Sequence, residues 1–243
     1  MQTWGLTDLG NVRSQNQDFY DIVPLGDSMK LVLVCDGMGG AKSGNVASRL
    51  AAEVFSEEVK RSIRPEMDGI EIKKVLSEAV QLANTAVFDQ SNISVDFQGL
   101  GTTLVAAVVR PDEAVIVNVG DSRAYIFNGG GIQFMTVDHS LVELMVQRGE
   151  ISREEAKSHP GKNLITRAVG TEPDVSCDLY RQPLKSGDAL LLCSDGLSNV
   201  MADQEILFEV IHGVQKDRCC QRLLEIAKDR GAPDNVTVVL VTL

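Results

Sequence analysis

Four aspartates stand where an apolar stretch gives way to a turn, and this shared setting is the first sign of chemistry in the chain. They are Asp36, Asp121, Asp195 and Asp234. The apolar run 31–35 predicts a strand buried on both faces that ends on Asp36. An unpaired carboxylate at the rim of a core is costly, so these acids need partners. For any single Asp-Gly pair the alternative is a turn with an acidic helix cap.

Oxygen ligands without clustered histidine or cysteine favour hard cations, so the four acids fit Mg²⁺ or Mn²⁺ and do not fit zinc. Two such ions about 3.5–4 Å apart can share one carboxylate and hold a hydroxide for in-line attack on phosphorus. Gly37 and Gly196 directly follow two of the acids. A residue without Cβ lets a backbone carbonyl or a ligand approach closely. The residues therefore predict a binuclear metal site.

The elements that position these acids follow from the hydrophobic periodicity. Apolar residues spaced three and four apart predict helices over 43–62 and 70–91. Short β-rich runs separated by Pro-Asp, Gly-Asp and Asn-Gly-Gly-Gly turns predict an antiparallel meander over 102–135. Elsewhere the patterns predict strands over 4–8, 18–23, 179–181, 189–193 and 236–243, and helices over 140–148, 152–157, 203–211 and 217–230.

Two helices, many strands and then two more helices are typical of an α+β fold, here a central antiparallel β-sandwich flanked by pairs of helices. The chain shows no linker or low-complexity stretch, so residues 1–243 are predicted to form a single domain. The segment 140–170 lacks a strong core pattern. We interpret it as a flap subdomain that is able to move.

Charge and composition exclude several classes of protein. The 243 residues include 23 Lys and Arg against 34 Asp and Glu, a formal charge of −11, which would repel nucleic acid and anionic lipid. Neither a leader pattern after Met1 nor an apolar run of about 20 residues is found, which predicts a cytoplasmic protein with no membrane partner. A phosphate-bearing substrate would need local positive charge, which metal cations could supply. The five cysteines form no C-x-x-C pair and are expected to be reduced.

Seven short motifs resemble, in order and spacing, the metal-dependent protein phosphatases of type 2C, in particular their compact bacterial catalytic domains. They span almost the whole chain, and together they are far more specific than any one of them. The motifs are Asn16-Gln17-Asp18, Asp36-Gly37-Met38-Gly39-Gly40, Gly101-Thr102-Thr103, Gly120-Asp121-Ser122-Arg123-Ala124-Tyr125, Asp138-His139-Ser140, Ser194-Asp195-Gly196-Leu197 and Asp234-Asn235-Val236-Thr237.

This resemblance implies a β-sandwich flanked by helix pairs, with two or three Mn²⁺ or Mg²⁺ ions at one edge. It also implies hydrolysis of phosphoserine and phosphothreonine in phosphorylated proteins by direct attack of a metal-bridging hydroxide. A cognate bacterial Ser/Thr protein kinase would be the opposing partner. We expect the protein to act as a monomer.

The resemblance also assigns roles to individual residues. Asp36 resembles the carboxylate that bridges both metals, and the Gly37 carbonyl is a further ligand. Asp195 and Asp234 resemble the remaining direct ligands of the core site, while Asp121 resembles the acid that, with Asp195, holds a weaker third ion. Arg13 resembles the arginine that grips the substrate phosphate, a task that suits a planar guanidinium. Without the neighbouring motif, a surface arginine would be the favoured interpretation.

Three further residues are expected to support the ligands rather than bind the ions directly. Asp18 resembles a group that orients metal-bound water, and Asn235 one that orients the Asp234 loop. Gln17 stands where many relatives carry a glutamate that binds metal through water, so this position contributes no charge here.

Two other positions depart from the family pattern. Met38 replaces a histidine of eukaryotic relatives, which excludes a general acid at that position and leaves leaving-group protonation to water. Asn199 replaces an acid found near the third metal in some relatives, which weakens the prediction of that site.

The same residues also bear on several other classes of site. A P-loop would need glycine at 36 and 41, where Asp36 and Ala41 stand. A serine esterase lacks a suitably placed base after Gly120-Asp121-Ser122. Thr102 and Thr103 could be nucleophiles, but threonines that open a strand are more often structural. His139 could assist proton transfer, although a structural hydrogen-bonding role is favoured. A catalytically weak phosphoprotein-binding module on the same fold is the main alternative from another class.

Overall fold

The strands form two antiparallel sheets that face one another. The computed structural model describes residues 1–39, 43–93, 97, 99–213 and 216–243. The first sheet has the order β1-β11-β10-β7-β8, with β1 Gln2–Asp8, β7 Arg123–Asn128, β8 Gly131–Phe134, β10 Ala189–Cys193 and β11 Val236–Thr242. The second has the order β2-β3-β5-β6-β9, with β2 Asp18–Pro24, β3 Lys30–Met38, β5 Leu104–Val109, β6 Glu113–Val119 and β9 Asp178–Pro183, and the short β4 Gly101–Thr102 pairs with β3.

Helices cover the outer faces of both sheets. The long helices α1 Gly44–Ser62 and α2 Gly69–Ser91 pack on the second sheet, and Asp68 opens α2 with a capping box. On the first sheet lie α5 Asp195–Ser198, α6 Asp203–His212 and α7 Cys219–Asp229, while α3 Leu141–Gln147 and α4 Arg153–Ser158 belong to the segment 140–170. No helix among the described residues is long and apolar enough to cross a membrane.

Three apolar layers hold this arrangement together. One lies between the two sheets and is rich in valine from β3, β5 and β11 and in leucine from β10. The other two lie between each sheet and its helices, with Phe55 buried under α1 and Leu223 under α7. All five cysteines are free in the structure, and four of them are buried. The predicted α+β sandwich flanked by helix pairs is confirmed.

Two differences from the predicted boundaries lie beside predicted ligands. Strand β3 does not end at Asp36 but continues to Met38, because β4 supplies a partner for Gly37 and Met38. After β10 the chain enters α5 at Asp195 at once, where a turn was predicted. The glycine motif after Met38 runs into residues 40–42, which lie outside the described part of the chain.

The segment 140–170 lies outside the two sheets and carries the short helices α3 and α4. Neither α3 nor α4 has a buried residue. The segment is closed at its base by a bridge between Ser140 and Ile165 and by a hydrogen bond from the Leu141 N–H to the Leu164 carbonyl, 2.8 Å. Few apolar contacts therefore hold these two helices to the rest of the molecule, and their description as a flap stays a prediction.

Candidate metal and substrate site

Both sheets contribute acids to one cleft at the edge of the sandwich. Asp36 comes from β3 in the second sheet, and Asp121 from the turn between β6 and β7. Asp195 opens α5, and Asp234 precedes β11 in the first sheet. The cleft has a volume of about 250 Å³. Its lining includes the predicted site residues Arg13, Gln17, Asp36, Gly37, Asp121, Asp195 and Asp234, together with Met38, Gly39, Thr103, Asn163 and Ile165.

The carboxylates repel one another in a poorly solvated space. Burial, followed by the negative charges of its acidic neighbours, raises the pKa of Asp36 well above its usual range. Burial and the Asp195 charge raise the pKa of Asp121 to about 8, and burial with the Asp234 charge raises the pKa of Asp195 to about 6. At neutral pH, protons therefore occupy carboxylate oxygens that could instead bind cations.

Arg13 is the one basic side chain among the described residues that line the cleft. Its Nη2 donates to Asp234 Oδ2 at 2.6 Å, and this hydrogen bond raises the pKa of the guanidinium. Half of the Arg13 side chain remains exposed. The arginine thus reaches the acids from the solvent side, where a substrate phosphate would arrive.

The donor set fits hard divalent cations. Asp195 Oδ1 is buried and has no hydrogen-bond partner, which is costly for a carboxylate oxygen unless a cation lies beside it. Among the described residues, no three Asp, Glu, His or Cys side chains converge enough to enclose an ion by themselves. Mg²⁺ commonly retains several waters and uses only one or two carboxylates, so a backbone carbonyl and water would complete the coordination here.

Gly37 occupies a position that no larger residue could take. A Cβ built on Gly37 would lie 2.0 Å from the Gly44 carbonyl oxygen and 2.7 Å from the Gln17 carbonyl oxygen. The Gly37 N–H donates to the same Gln17 carbonyl at 3.1 Å. The start of α1 and the loop before β2 therefore pack directly on the backbone beside Asp36. The role of the Gly37 carbonyl as a ligand stays a prediction.

Asp18 lies beneath the cleft and joins the two sheets. Its Oδ2 accepts hydrogen bonds from Thr237 Oγ1 at 2.6 Å and Ser194 Oγ at 2.7 Å, while its Oδ1 is buried and without a partner. Burial outweighs these two bonds and raises the pKa of Asp18 to about 7. Since Ser194 precedes Asp195 and Asp18 pairs with Asp36 across β2 and β3, this carboxyl group sets the spacing between ligands from different sheets.

Asn235 anchors the loop that carries Arg13. Its Nδ2 donates to the carbonyls of Leu9 and Gln15, at 2.9 and 3.1 Å, and its Oδ1 accepts from the Gln17 N–H at 2.8 Å. All three contacts hold the loop 9–17 against the Asp234 turn. Asn235 therefore orients the loop that carries Arg13 as well as its own turn. The sequence analysis predicted only the second of these two roles.

The Asp138-His139-Ser140 motif connects the Asp121 turn to the segment 140–170. Asp138 binds Arg123 through both carboxylate oxygens, the shortest contact being 2.6 Å. His139 Nδ1 accepts from the Gly120 N–H at 3.0 Å, and burial followed by the nearby Arg167 charge lowers the pKa of the imidazole. Ser140 caps α3. His139 does not line the cleft, so the contacts agree with its predicted hydrogen-bonding role.

Four residues at the site have positions or contacts that the sequence analysis did not predict. Asn163 and Ile165 line the cleft from the segment 140–170. Asn199 Nδ2 donates to Asp195 Oδ2 at 2.9 Å, so this residue acts on a predicted ligand. Thr103 lies beside Asp36. The Gly101-Thr102-Thr103 motif was the sequence signal that could have indicated this position.

Comparison with known proteins identifies the class to which this fold and site belong. Residues 11–230 match the family described as Protein phosphatase 2C. The serine/threonine phosphatase stp of Listeria monocytogenes is 37% identical over 236 residues, which cover 97% of this chain and 93% of that protein. The serine/threonine protein phosphatase PstP of Mycobacterium tuberculosis is 36% identical over 234 residues, which cover 96% of this chain and 43% of PstP.

Solved structures show the same similarity in three dimensions. The crystal structure of the serine/threonine phosphatase Stp1 from Staphylococcus aureus superimposes with a TM-score of 0.93 at 33% identity, covering 100% of this chain and 94% of that one. The catalytic domain of PstP in complex with two manganese ions gives a TM-score of 0.83 at 31% identity, covering 98% and 96%. The chain belongs to the protein phosphatase 2C family.

Proposed function

We propose that this protein is a metal-dependent protein serine/threonine phosphatase that hydrolyses phosphoserine and phosphothreonine in phosphorylated proteins. The observation that carries the proposal is the single cleft that Asp36, Asp121, Asp195 and Asp234 line together with Arg13. The names of the relatives and the two manganese ions of the PstP structure support it. The comparisons give no support to a phosphoprotein-binding module without catalysis.

Two Mn²⁺ or Mg²⁺ ions are the proposed cofactors, held by Asp36, Asp195, Asp234 and the Gly37 carbonyl. A third, weaker ion is proposed between Asp121 and Asp195. When bound, such ions supply Lewis acidity, which lowers the pKa of water and neutralises phosphoryl charge. The unpartnered Asp195 Oδ1 and the mutual repulsion of the carboxylates support this assignment.

The residues of the chain bind and orient the substrate. Arg13 approaches from the solvent side, where its guanidinium would grip two phosphate oxygens at once. Among the described residues that line the cleft there is no serine, cysteine or histidine, and the Thr103 hydroxyl is engaged by its neighbours. The four aspartates of the cleft are assigned to the ions and are not offered as nucleophiles. We therefore propose direct attack by water on phosphorus, with no phosphoenzyme. Water would also protonate the leaving group, since Met38 cannot donate a proton.

The test is phosphate release from a phosphothreonine peptide by the purified protein. We expect Mn²⁺ to stimulate release, and we expect EDTA, Asp36→Ala and Asp234→Ala to abolish it. Asp27→Ala, which removes an exposed carboxylate in the turn before β3, is the matched control and should retain full activity. Release that is insensitive to metal removal would contradict the mechanism. Phosphopeptide binding without hydrolysis by the intact protein would favour the binding module.

The cellular setting is proposed on less direct grounds. The predicted cytoplasmic location is supported by five free cysteines, since disulfides form in oxidising compartments. A cognate Ser/Thr protein kinase, a monomeric state and the absence of nucleic-acid and membrane partners belong to the same proposal. The formal charge of −11 supports the last of these.

A further inference from the structure

Thr103 lies directly across the strand pair from Asp36. The register on either side of Asp36 places the two residues opposite each other. In a regular antiparallel pair they would exchange two backbone hydrogen bonds. The Thr103 N–H does donate to the Asp36 carbonyl, at 2.9 Å, but the Asp36 N–H donates to Thr103 Oγ1, also at 2.9 Å. A side-chain hydroxyl thus replaces a backbone acceptor at the predicted bridging ligand.

Thr102 provides a hydrogen-bond donor for the Thr103 carbonyl, which does not receive the Asp36 N–H. Its Oγ1 lies 2.9 Å from the Thr103 carbonyl and 2.9 Å from the Asp36 carbonyl, and its single proton serves one of them at a time. Both threonines are buried. The replacement of ladder bonds by hydroxyl bonds explains why regular strand structure is interrupted at Thr103, between β4 and β5.

The other side of Thr103 supports the turn that carries Asp121. Thr103 Oγ1 lies 2.7 Å from Ser122 Oγ, and both groups are buried. Gly120 has a φ of +104°, and a Cβ added there would lie 2.6 Å from the Thr103 methyl carbon. The turn therefore rests on both branches of the threonine side chain, the hydroxyl and the methyl group.

We infer that Thr103 is a positioning residue that fixes Asp36 and Asp121 relative to one another, so that metal affinity depends on its hydroxyl. The inference rests on the proposed metal-dependent function. Serine would keep the hydroxyl and lose the methyl contact with Gly120. Valine would keep the shape but leave the buried Asp36 N–H without an acceptor, at the carboxylate on which two ions would depend.

The experiment measures Mn²⁺ binding by isothermal titration calorimetry, alongside the melting temperature in EDTA. Thr136→Val is the matched control, because Thr136 is equally buried and its Oγ1 also accepts a backbone N–H, from Ala124 at 3.2 Å, away from the ligands. Thr103→Val should weaken Mn²⁺ binding about 10- to 100-fold, the usual cost of losing a group that orients a ligand. Thr103→Ser and Thr136→Val should lower the melting temperature and leave Mn²⁺ affinity unchanged.

Several outcomes would overturn the inference. They are wild-type Mn²⁺ affinity in Thr103→Val, equal weakening in Thr103→Ser, and equal weakening in Thr136→Val. If Thr103→Val does not fold, Ser122→Ala takes its place, since it removes the hydroxyl link to the Asp121 turn and keeps the bond to Asp36. Weaker Mn²⁺ binding in Ser122→Ala supports the inference, and unchanged binding overturns it. A wild-type protein that binds no Mn²⁺ would instead refute the proposed function.

Discussion

At the scale of single residues, Arg13 has two potential partners that it cannot serve equally. Its guanidinium binds Asp234 at 2.6 Å, yet the proposed function requires it to bind phosphate. A cation on the same carboxylate would compete with the arginine and leave the guanidinium available to substrate. Substrate binding and metal binding should therefore respond differently when Arg13 is removed.

We predict that Arg13→Ala raises KM for a phosphopeptide by about 10- to 100-fold, because a charge-assisted hydrogen bond contributes about 1.5–3 kcal/mol. Mn²⁺ affinity should not fall, since the variant removes a competitor for Asp234. Steady-state kinetics and calorimetry measure the two quantities. Arg61→Ala, at the exposed end of α1, is the control and should change neither. An unchanged KM would contradict the phosphate-binding role of Arg13, and weaker Mn²⁺ binding would contradict its competition with the metal for Asp234.

At the scale of elements, the two helices of the segment 140–170 differ from the other α-helices of the described chain. Helices α3 and α4 bury no residue, whereas α1 and α2 bury eight and nine. Each short helix depends on its N-cap: Ser140 Oγ accepts from the Glu143 N–H, and Ser152 Oγ from the Glu155 N–H. Local opening should therefore require much less free energy than unfolding of the sandwich.

We predict that amides of α3 and α4 exchange with deuterium well before those of α1 and α2, as measured by hydrogen exchange and mass spectrometry. Ser140→Ala should accelerate exchange in α3 about fivefold, since a lost N-cap costs about 1 kcal/mol. Ser152→Ala should do the same in α4, so each variant is the control for the other. Protection of α3 and α4 equal to that of α1 would reject the flap interpretation.

The sequence was sufficient for the order and type of almost every element because helical and strand periodicities are local. It failed where the deciding partner is distant. Asp36-Gly37 resembles a turn, and only β4, more than 60 residues later, extends the strand to Met38. The four acids could be predicted from their place at strand boundaries. The hydroxyls of Ser194 and Thr237 could not, because their shared partner Asp18 lies 176 and 219 residues away.

At the scale of the whole molecule, negative charge is concentrated where the two sheets meet. The chain carries a formal charge of −11, and the cleft adds a local excess in which carboxylates titrate near neutrality. Folding brings these groups together, so their protonation is linked to stability. Because of this linkage, the pH dependence of stability tests the metal site without requiring catalytic activity.

We predict that the melting temperature of the metal-free protein falls as pH rises from 6 to 8. The pKa values of Asp195, Asp18 and Asp121 are raised to about 6, about 7 and about 8 in the folded state, from 3.8. In this range the folded state binds more protons than the unfolded state, so stability is lost as pH increases.

Mn²⁺ replaces the protons and should remove most of the fall in melting temperature, because a ligand that binds only the folded state stabilises it. Scanning calorimetry in EDTA and in Mn²⁺ measures both slopes. Asp195→Asn should flatten the metal-free slope, since it removes one of the three titrating groups and the charge that raises the pKa of Asp121 and Asp18. An equal slope in this variant would attribute the loss to the diffuse surface charge instead of the cleft.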